Sequence, residues 1–285
     1  MAAGTLPLPS HSLSETLSLM HLTPADAAVA AAGCAALVRL TGGTGRSEER
    51  VRTLAELGVR YSCRLVECVQ QGAPAALVAA LQLHTAQESV CAPASLALRN
   101  LAYGLNGHEA ACVAAGALPA LVAVLLAHAQ STATCALACG AIRNIAADAA
   151  CAEAAVEAGV VPQLAAALCA HASSAALCEQ ALAALANIAE KSSRGPAQDA
   201  CALAMPAIAQ AMEQQQGSRQ LCSMCLRVLR ATAALGDAQQ ASRVGVLLAG
   251  GARGLLVSMF NNTTSPSLAG EINAALQALG LQALG

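Results

Sequence analysis

Cys222 and Cys225 stand in a C-x-x-C spacing. On a helix that spacing brings two thiols to one side, as a metal site or a dithiol redox pair requires. Cys222 is also the last member of a column. Cys91, Cys135, Cys178 and Cys222 lie 44, 43 and 44 residues apart. His84, His128 and His171 form a second column, with spacings of 44 and 43, and Asn100, Asn144 and Asn187 form a third with the same spacings. Columns sharing one period belong to a repeated unit. Equivalent residues on neighbouring units are then about a helix-packing distance apart, ~8–10 Å, too far to share an ion whose ligands lie at ~2.0–2.3 Å. Neither a metal site nor a cofactor is expected. The cysteines read as small buried packing residues, and the histidines as residues interacting with a helix C-terminus.

Other catalytic patterns are missing. TGGTGR, from Thr41, lacks the Gly-Lys-Ser/Thr ending of a phosphate loop, and the only lysine, Lys191, follows no glycine-rich run. Neither G-x-S-x-G nor H-E-x-x-H occurs. No catalytic residue is assigned, and a thiol or metal enzyme built on Cys222 and Cys225 stands only as the competing reading from another class.

The asparagines carry different chemistry. An amide side chain offers one acceptor and two donors, so it can pair with both the N–H and the C=O of an extended backbone. A regular row of amides could hold a main chain whatever its side chains. The alternative is that each asparagine closes its helix by bonding nearby backbone. Residues four and seven positions earlier share the asparagine face, because each helical residue turns about 100°. That adds Leu96 and Pro93, Gly140 and Leu137, Ala183 and Gln180, and, in the next unit, Arg227 and Met224. The candidate binding residues are Asn100, Asn144, Asn187, Leu96, Gln180 and Arg227. Such a groove should be shallow, lined by small or apolar side chains and nearly uncharged in its middle, with little electrostatic steering. The cysteine column lies nine residues earlier, about 900° of helix, and so faces away from the groove into the packing.

The elements that must position these columns follow from the same period. GAPAALVAAL from Gly72, GALPALVAVL from Gly116 and GVVPQLAAAL from Gly159 repeat at 44 and 43 residues. ALRNLA, AIRNIA and ALANIA, ending at Ala102, Ala146 and Ala189, repeat likewise. A fourth copy runs through Pro206 and Ile208 to VLRATA at Ala233, and a weaker fifth from Gly250 to Gly280. This is the signature of a solenoid of ~40–47-residue units. Each unit reads as three helices: Asp148 to Ala158, ended by Gly159; Val161 to about His171, with Pro162 in its first turn; and Ser174 to Lys191, with apolar residues at helical spacing. Composition agrees. The chain holds 73 alanines and 1% aromatics, which favours helix and starves strands of their preferred residues.

The N-terminus is less regular. Residues 1–23 read as a tail with a short helix, begun by the capping-box pattern of Ser12 and Glu15. Residues 24–58 read as capping helices, with Thr23 and Pro24 as a start signal, Gly42–Gly45 a loop and Ser47 a second start. Residues 59–280 hold about five repeats, and 281–285 end the chain.

Charge is nearly balanced, 15 basic against 17 acidic residues, so neither nucleic acid nor a small-molecule substrate is expected. The densest apolar stretch, Leu118–Ala127, is too short to span a membrane, and no membrane partner is expected. The first basic residue is Arg39, so no secretory or organellar leader is anticipated. A cytosolic or nuclear protein with reduced thiols is.

Three helices per unit, a glycine between the first two, and an L-x-N-[LI]-A ending on the third together resemble armadillo repeats over roughly residues 24–280. The resemblance implies an all-α, right-handed superhelical solenoid. It also implies a non-catalytic protein-binding scaffold, with the third helices lining a concave groove whose asparagines, here Asn100, Asn144 and Asn187, hold an extended or helical protein segment. Two departures matter. Ala231 and Ala278 replace the asparagine in the last units. The groove tryptophan implied four residues before each asparagine is replaced by Leu96, Gly140, Ala183, Arg227 and Ala274, which disfavours a nuclear-import adaptor. The competing non-enzymatic expectation is an armadillo cofactor of an Hsp70-type chaperone, gripping a folded domain.

Overall fold

The computed structural model describes residues 12–42, 64–103, 107–193, 195–215, 217–233 and 238–284. The tail before Ser12, the loop after Gly42 and the helix expected from Ser47 lie outside the described residues. Among those described, every regular element is a helix: α1 (Leu13–Leu22), α2 (Ala27–Thr41), α3 (64–70), α4 (Ala73–Leu83), α5 (Glu88–Leu101), α6 (His108–Ala114), α7 (Ala117–Ala127), α8 (Thr132–Ile145), α9 (Ala149–Glu157), α10 (Val160–Ala170), α11 (Ala175–Lys191), α12 (Gly195–Leu203), α13 (Met205–Gln214), α14 (Arg219–Ala233), α15 (Gln240–Ala249), α16 (Ala252–Asn261) and α17 (Pro266–Ala278). Among the described residues no single helix is long and apolar enough to cross a membrane.

One unit shows why the sequence folds this way. Asp148 accepts a hydrogen bond from the Cys151 N–H at 3.1 Å and so opens α9. Gly159 adopts φ 70°, ψ 29° between α9 and α10, a left-handed conformation that a side chain would strain. Ser174 accepts from the Leu177 N–H and opens α11. Gly72, Gly116 and Gly251 repeat the left-handed turn. The fourth unit departs: Ala204, at φ −77°, ψ −6°, joins α12 to α13 without one.

The helices stack in three rows. The third helices α2, α5, α8, α11, α14 and α17 each pack on the next. So do the second helices α1, α4, α7, α10, α13 and α16, and the first helices from α6 to α15. Leu77, Leu121, Leu164 and Ile208, one per unit, are fully buried in a single continuous core. Each unit's apolar stripe is covered by its neighbours, as a solenoid requires.

The start signal expected at Thr23 and Pro24 is corrected. Asp26 caps α2, accepting from the N–H groups of Ala28 and Val29 at 2.9 and 3.2 Å, while the Thr23 hydroxyl donates back to Leu19 O at 3.0 Å and closes α1. A carboxylate one residue before the first alanine outcompetes a threonine three residues further out. Ser12 and Glu15 form the expected capping box, and α1 occupies the second-helix row beside α4.

Candidate partner-binding groove

Asn100, Asn144 and Asn187 sit in the last turns of α5, α8 and α11, each half-buried. Their amides do specific work before any partner arrives. Asn144 Nδ2 donates to Arg99 O at 2.8 Å, and Asn187 Nδ2 to Arg143 O at 2.9 Å. Each acceptor is the carbonyl one residue before the asparagine of the preceding unit. In α5 the Tyr103 N–H bonds to Asn100 O, and in α8 the Ala147 N–H bonds to Asn144 O. Arg99 O and Arg143 O are thereby left among the carbonyls that a helix end cannot satisfy itself. The asparagine closes a helix end, as the backbone-bonding alternative has it, but the end belongs to the neighbouring unit. Asn100 makes a longer contact with Thr41 Oγ1, 3.4 Å, on the capping helix α2. One amide hydrogen of each remains, and Asn144 Oδ1 has no hydrogen-bond partner among the described residues.

Around this row the structure assembles the other candidates. Leu96 lies half-buried one turn before Asn100. Gln180 Oε1 accepts from Arg143 Nη1 at 3.0 Å. Arg227 grips Glu190 through Nε–Oε1 (2.9 Å) and Nη2–Oε2 (2.6 Å), and donates to Asn187 Oδ1 at 3.2 Å. The Glu190 contact holds the Arg227 guanidinium further above its already high range.

The expectation of a nearly uncharged middle is corrected. Arg99 and Arg143 were not on the asparagine face by helical angle, yet their long side chains reach onto the next unit. Gly140 makes room: a Cβ there would lie 3.0 Å from Arg99 Cδ, 3.2 Å from Arg99 Nε and 3.3 Å from Gln180 Oε1. The groove residues missed by angle were still visible in the sequence, since Arg99 and Arg143 are themselves 44 apart.

Behind the groove lie the cysteines. Cys91, Cys135, Cys178 and Cys222 are all buried, and the first three aim Sγ at carbonyls closing the second helices, Cys135 reaching His128 O at 3.2 Å. Burial pushes the Cys91 thiol up to about 11 and raises those of Cys135, Cys178 and Cys222. Cys225 is raised too, by burial and by Cys222 beside it, so this pair is the opposite of an activated dithiol. Every described cysteine is an unpaired thiol, and among the described residues no three His, Cys, Asp or Glu side chains converge as metal ligands would.

The histidine column forms a second ladder. Nε2 of His84, His128 and His171 bonds to the carbonyls of Pro24, Thr85 and Ala129 at 2.8, 2.7 and 2.9 Å. Gln215 continues it, Nε2 to Ala172 O at 2.9 Å. A carbonyl only accepts, so each Nε2 carries the proton. His171 Nδ1 then accepts from the Thr132 hydroxyl at 3.0 Å. The histidines stand at the caps of their own second helices, as expected, but each ring bonds to a turn carbonyl one residue past the cap in the unit before.

No family model matches the sequence, and neither does any curated protein. Solved structures do. A designed armadillo repeat protein in complex with the peptide (KR)4 is 22% identical, with a TM-score of 0.69, covering 94% of this chain and 100% of that one. Computationally designed armadillo repeat proteins for modular peptide recognition give 23% identity and a TM-score of 0.71, covering 94% and 99%. An engineered protein gives 20% identity and 0.71, covering 95% and 97%. The fold is therefore an all-α armadillo solenoid, right-handed and built of three-helix repeats.

Proposed function

We propose that this chain is a non-catalytic scaffold that holds an extended segment of a partner protein in the groove along α5, α8, α11 and α14. What supports the reading is the half-buried asparagine row, with an amide hydrogen to spare at each rung and an open acceptor at Asn144, on a fold whose solved likenesses include a protein bound to a peptide. In this reading Asn100, Asn144 and Asn187 hold the partner main chain, Leu96 gives apolar contact, and Gln180 and Arg227 flank it. No catalytic step, metal or cofactor takes part. The thiols stay reduced, in the cytosol or nucleus. Residues 177–189 and 274–280 also resemble armadillo repeat-containing protein 6, and a place beside that protein is part of the proposal.

The test is a displayed library of random extended peptides selected against the chain. Binding peptides should lose roughly 5- to 150-fold in affinity with Asn144→Ala, the cost of about 1–3 kcal/mol of unmade hydrogen bonds. This variant should also melt lower, because Arg99 O loses its donor. Lowered melting with unchanged affinity would reduce the asparagines to clips between repeats and end the groove assignment.

A further inference from the structure

The groove carries a charge feature that narrows what its occupant must be. Arg99 and Arg143 come from successive repeats and converge on the notch at Gly140. Arg99 lies across it, its Cδ and Nε 3.0 and 3.2 Å from where a Cβ would stand, and Arg143 reaches the same place through Gln180 Oε1 at 3.0 Å. Only a neutral amide separates them. Neither guanidinium has a carboxylate partner among the described residues. The half-buried Arg227 has Glu190, and the buried Arg243 has Asp199. Arg39, Arg64, Arg219, Arg230 and Arg253 also lack a carboxylate among the described residues but are exposed, so Arg99 and Arg143 stand out as half-buried cations without one among those residues. Two guanidinium groups brought to one place are suited to a carboxylate, which can accept two parallel bonds from such a fork. Asn144, one turn beyond Gly140 on α8, has an Oδ1 without a partner among the described residues, which a backbone N–H of a bound segment can fill.

We propose that the groove selects an acidic extended segment of a protein partner, an Asp or Glu carboxylate seated between Arg99 and Arg143 while Asn144 holds the adjacent main chain. This rests on the groove reading above and adds its charge. The same notch works against a basic peptide, because placing a third cation between two others is repulsive. With aromatics at 1% of the chain there is no stacking platform to favour a single-stranded nucleic acid instead.

The experiment uses the full chain and four fluorescent probes: an alternating Asp-Ser peptide of about ten residues, its Asn-Ser and Lys-Ser counterparts, and an oligothymidine. Anisotropy is read at low and at physiological salt. The acidic peptide should bind at least tenfold tighter than the neutral one and weaken with salt, and the basic one should bind least. Arg99→Gln with Arg143→Gln should bring the acidic peptide down to the affinity of the neutral one, and Arg143→Lys should retain part of the preference. Circular dichroism checks that each variant is folded. Equal binding of acidic and neutral peptides, or an acidic preference that survives the double substitution, overturns the charge assignment. In that case Asn144→Ala, if it still weakens both peptides, leaves the groove reading standing. Absence of binding by every peptide overturns both, and oligothymidine binding lost in the double variant overturns the protein partner.

Discussion

The junctions in the middle of the solenoid and the junction at its C-terminal end are built from the same helices but held differently. Between α5 and α8, and between α8 and α11, each interface carries an asparagine bond at one end and a histidine bond at the other. Where α14 meets α17, Ala278 stands in the asparagine column, and Asn262, the C-cap of α16, bonds among the described residues within its own helix, Nδ2 to Ser258 Oγ at 3.5 Å. There a cavity of about 320 Å³ opens, lined among others by Met212, Glu213, Arg219, Cys222, Leu255 and Leu268. The last repeat is held by apolar burial and by the Arg243–Asp199 ion pair between α15 and α12, so its polar tie sits in the first-helix row and not at the ends of the third helices.

The largest effect should come from cutting the core. Leu164→Ala, fully buried in the middle repeat, should cost about 2–5 kcal/mol in urea unfolding. Leu255→Ala should cost distinctly less, because it borders space that is already empty. Equal costs would erase the contrast between the two regions. Next come the rungs. Asn144→Ala orphans Arg99 O, for about 1–3 kcal/mol, and His128→Ala should cost less, because Thr85 O keeps the weak bond from Cys91 Sγ at 3.4 Å; together they should loosen the α5–α8 junction. The reverse change, Ala278→Asn, points an amide toward Arg230 O and should gain about 0.5–1.5 kcal/mol. A destabilised Ala278→Asn would show that the last junction is spaced too widely for a rung.

The smallest effect near neutrality concerns the thiols. Burial raises Cys34, Cys112 and Cys201 to about 12 from an ordinary 9. A group whose folded value is raised gives stability that is complete below its unfolded value and is lost as pH rises through the folded one. Melting temperature should therefore hold between pH 7 and about 8 and fall between about 9 and 12. A fall already at pH 8, or rapid native alkylation of a described cysteine other than the exposed Cys169, would contradict the buried columns.

Much of this was legible in the sequence because the repeat writes each constraint several times. Gly72, Gly116 and Gly159 mark turns that demand a left-handed residue. Apolar spacing marks the buried stripes, and the columns mark faces by simple rotation. What rotation cannot give is reach. An arginine one position off the asparagine face extends far enough to lie on the next repeat, so Arg99 and Arg143 enter the groove although their Cα atoms are turned from it. The histidines were placed correctly at helix ends, but which helix end receives the bond depends on stacking between units. Thr23 and Asp26 compete for the same helix start, and only the backbone path decides between them.

Both ladders also have a direction. In each rung named for Asn144, Asn187, His84, His128, His171 and Gln215, the donor lies in the later repeat and the acceptor in the earlier one. During synthesis the N-terminal part of a chain leaves the ribosome first. Each new repeat of this chain therefore meets carbonyls already presented by a finished neighbour and supplies the hydrogens itself. The direction of the bonds matches the order of translation, and a repeat waiting for its successor exposes acceptors that water can serve.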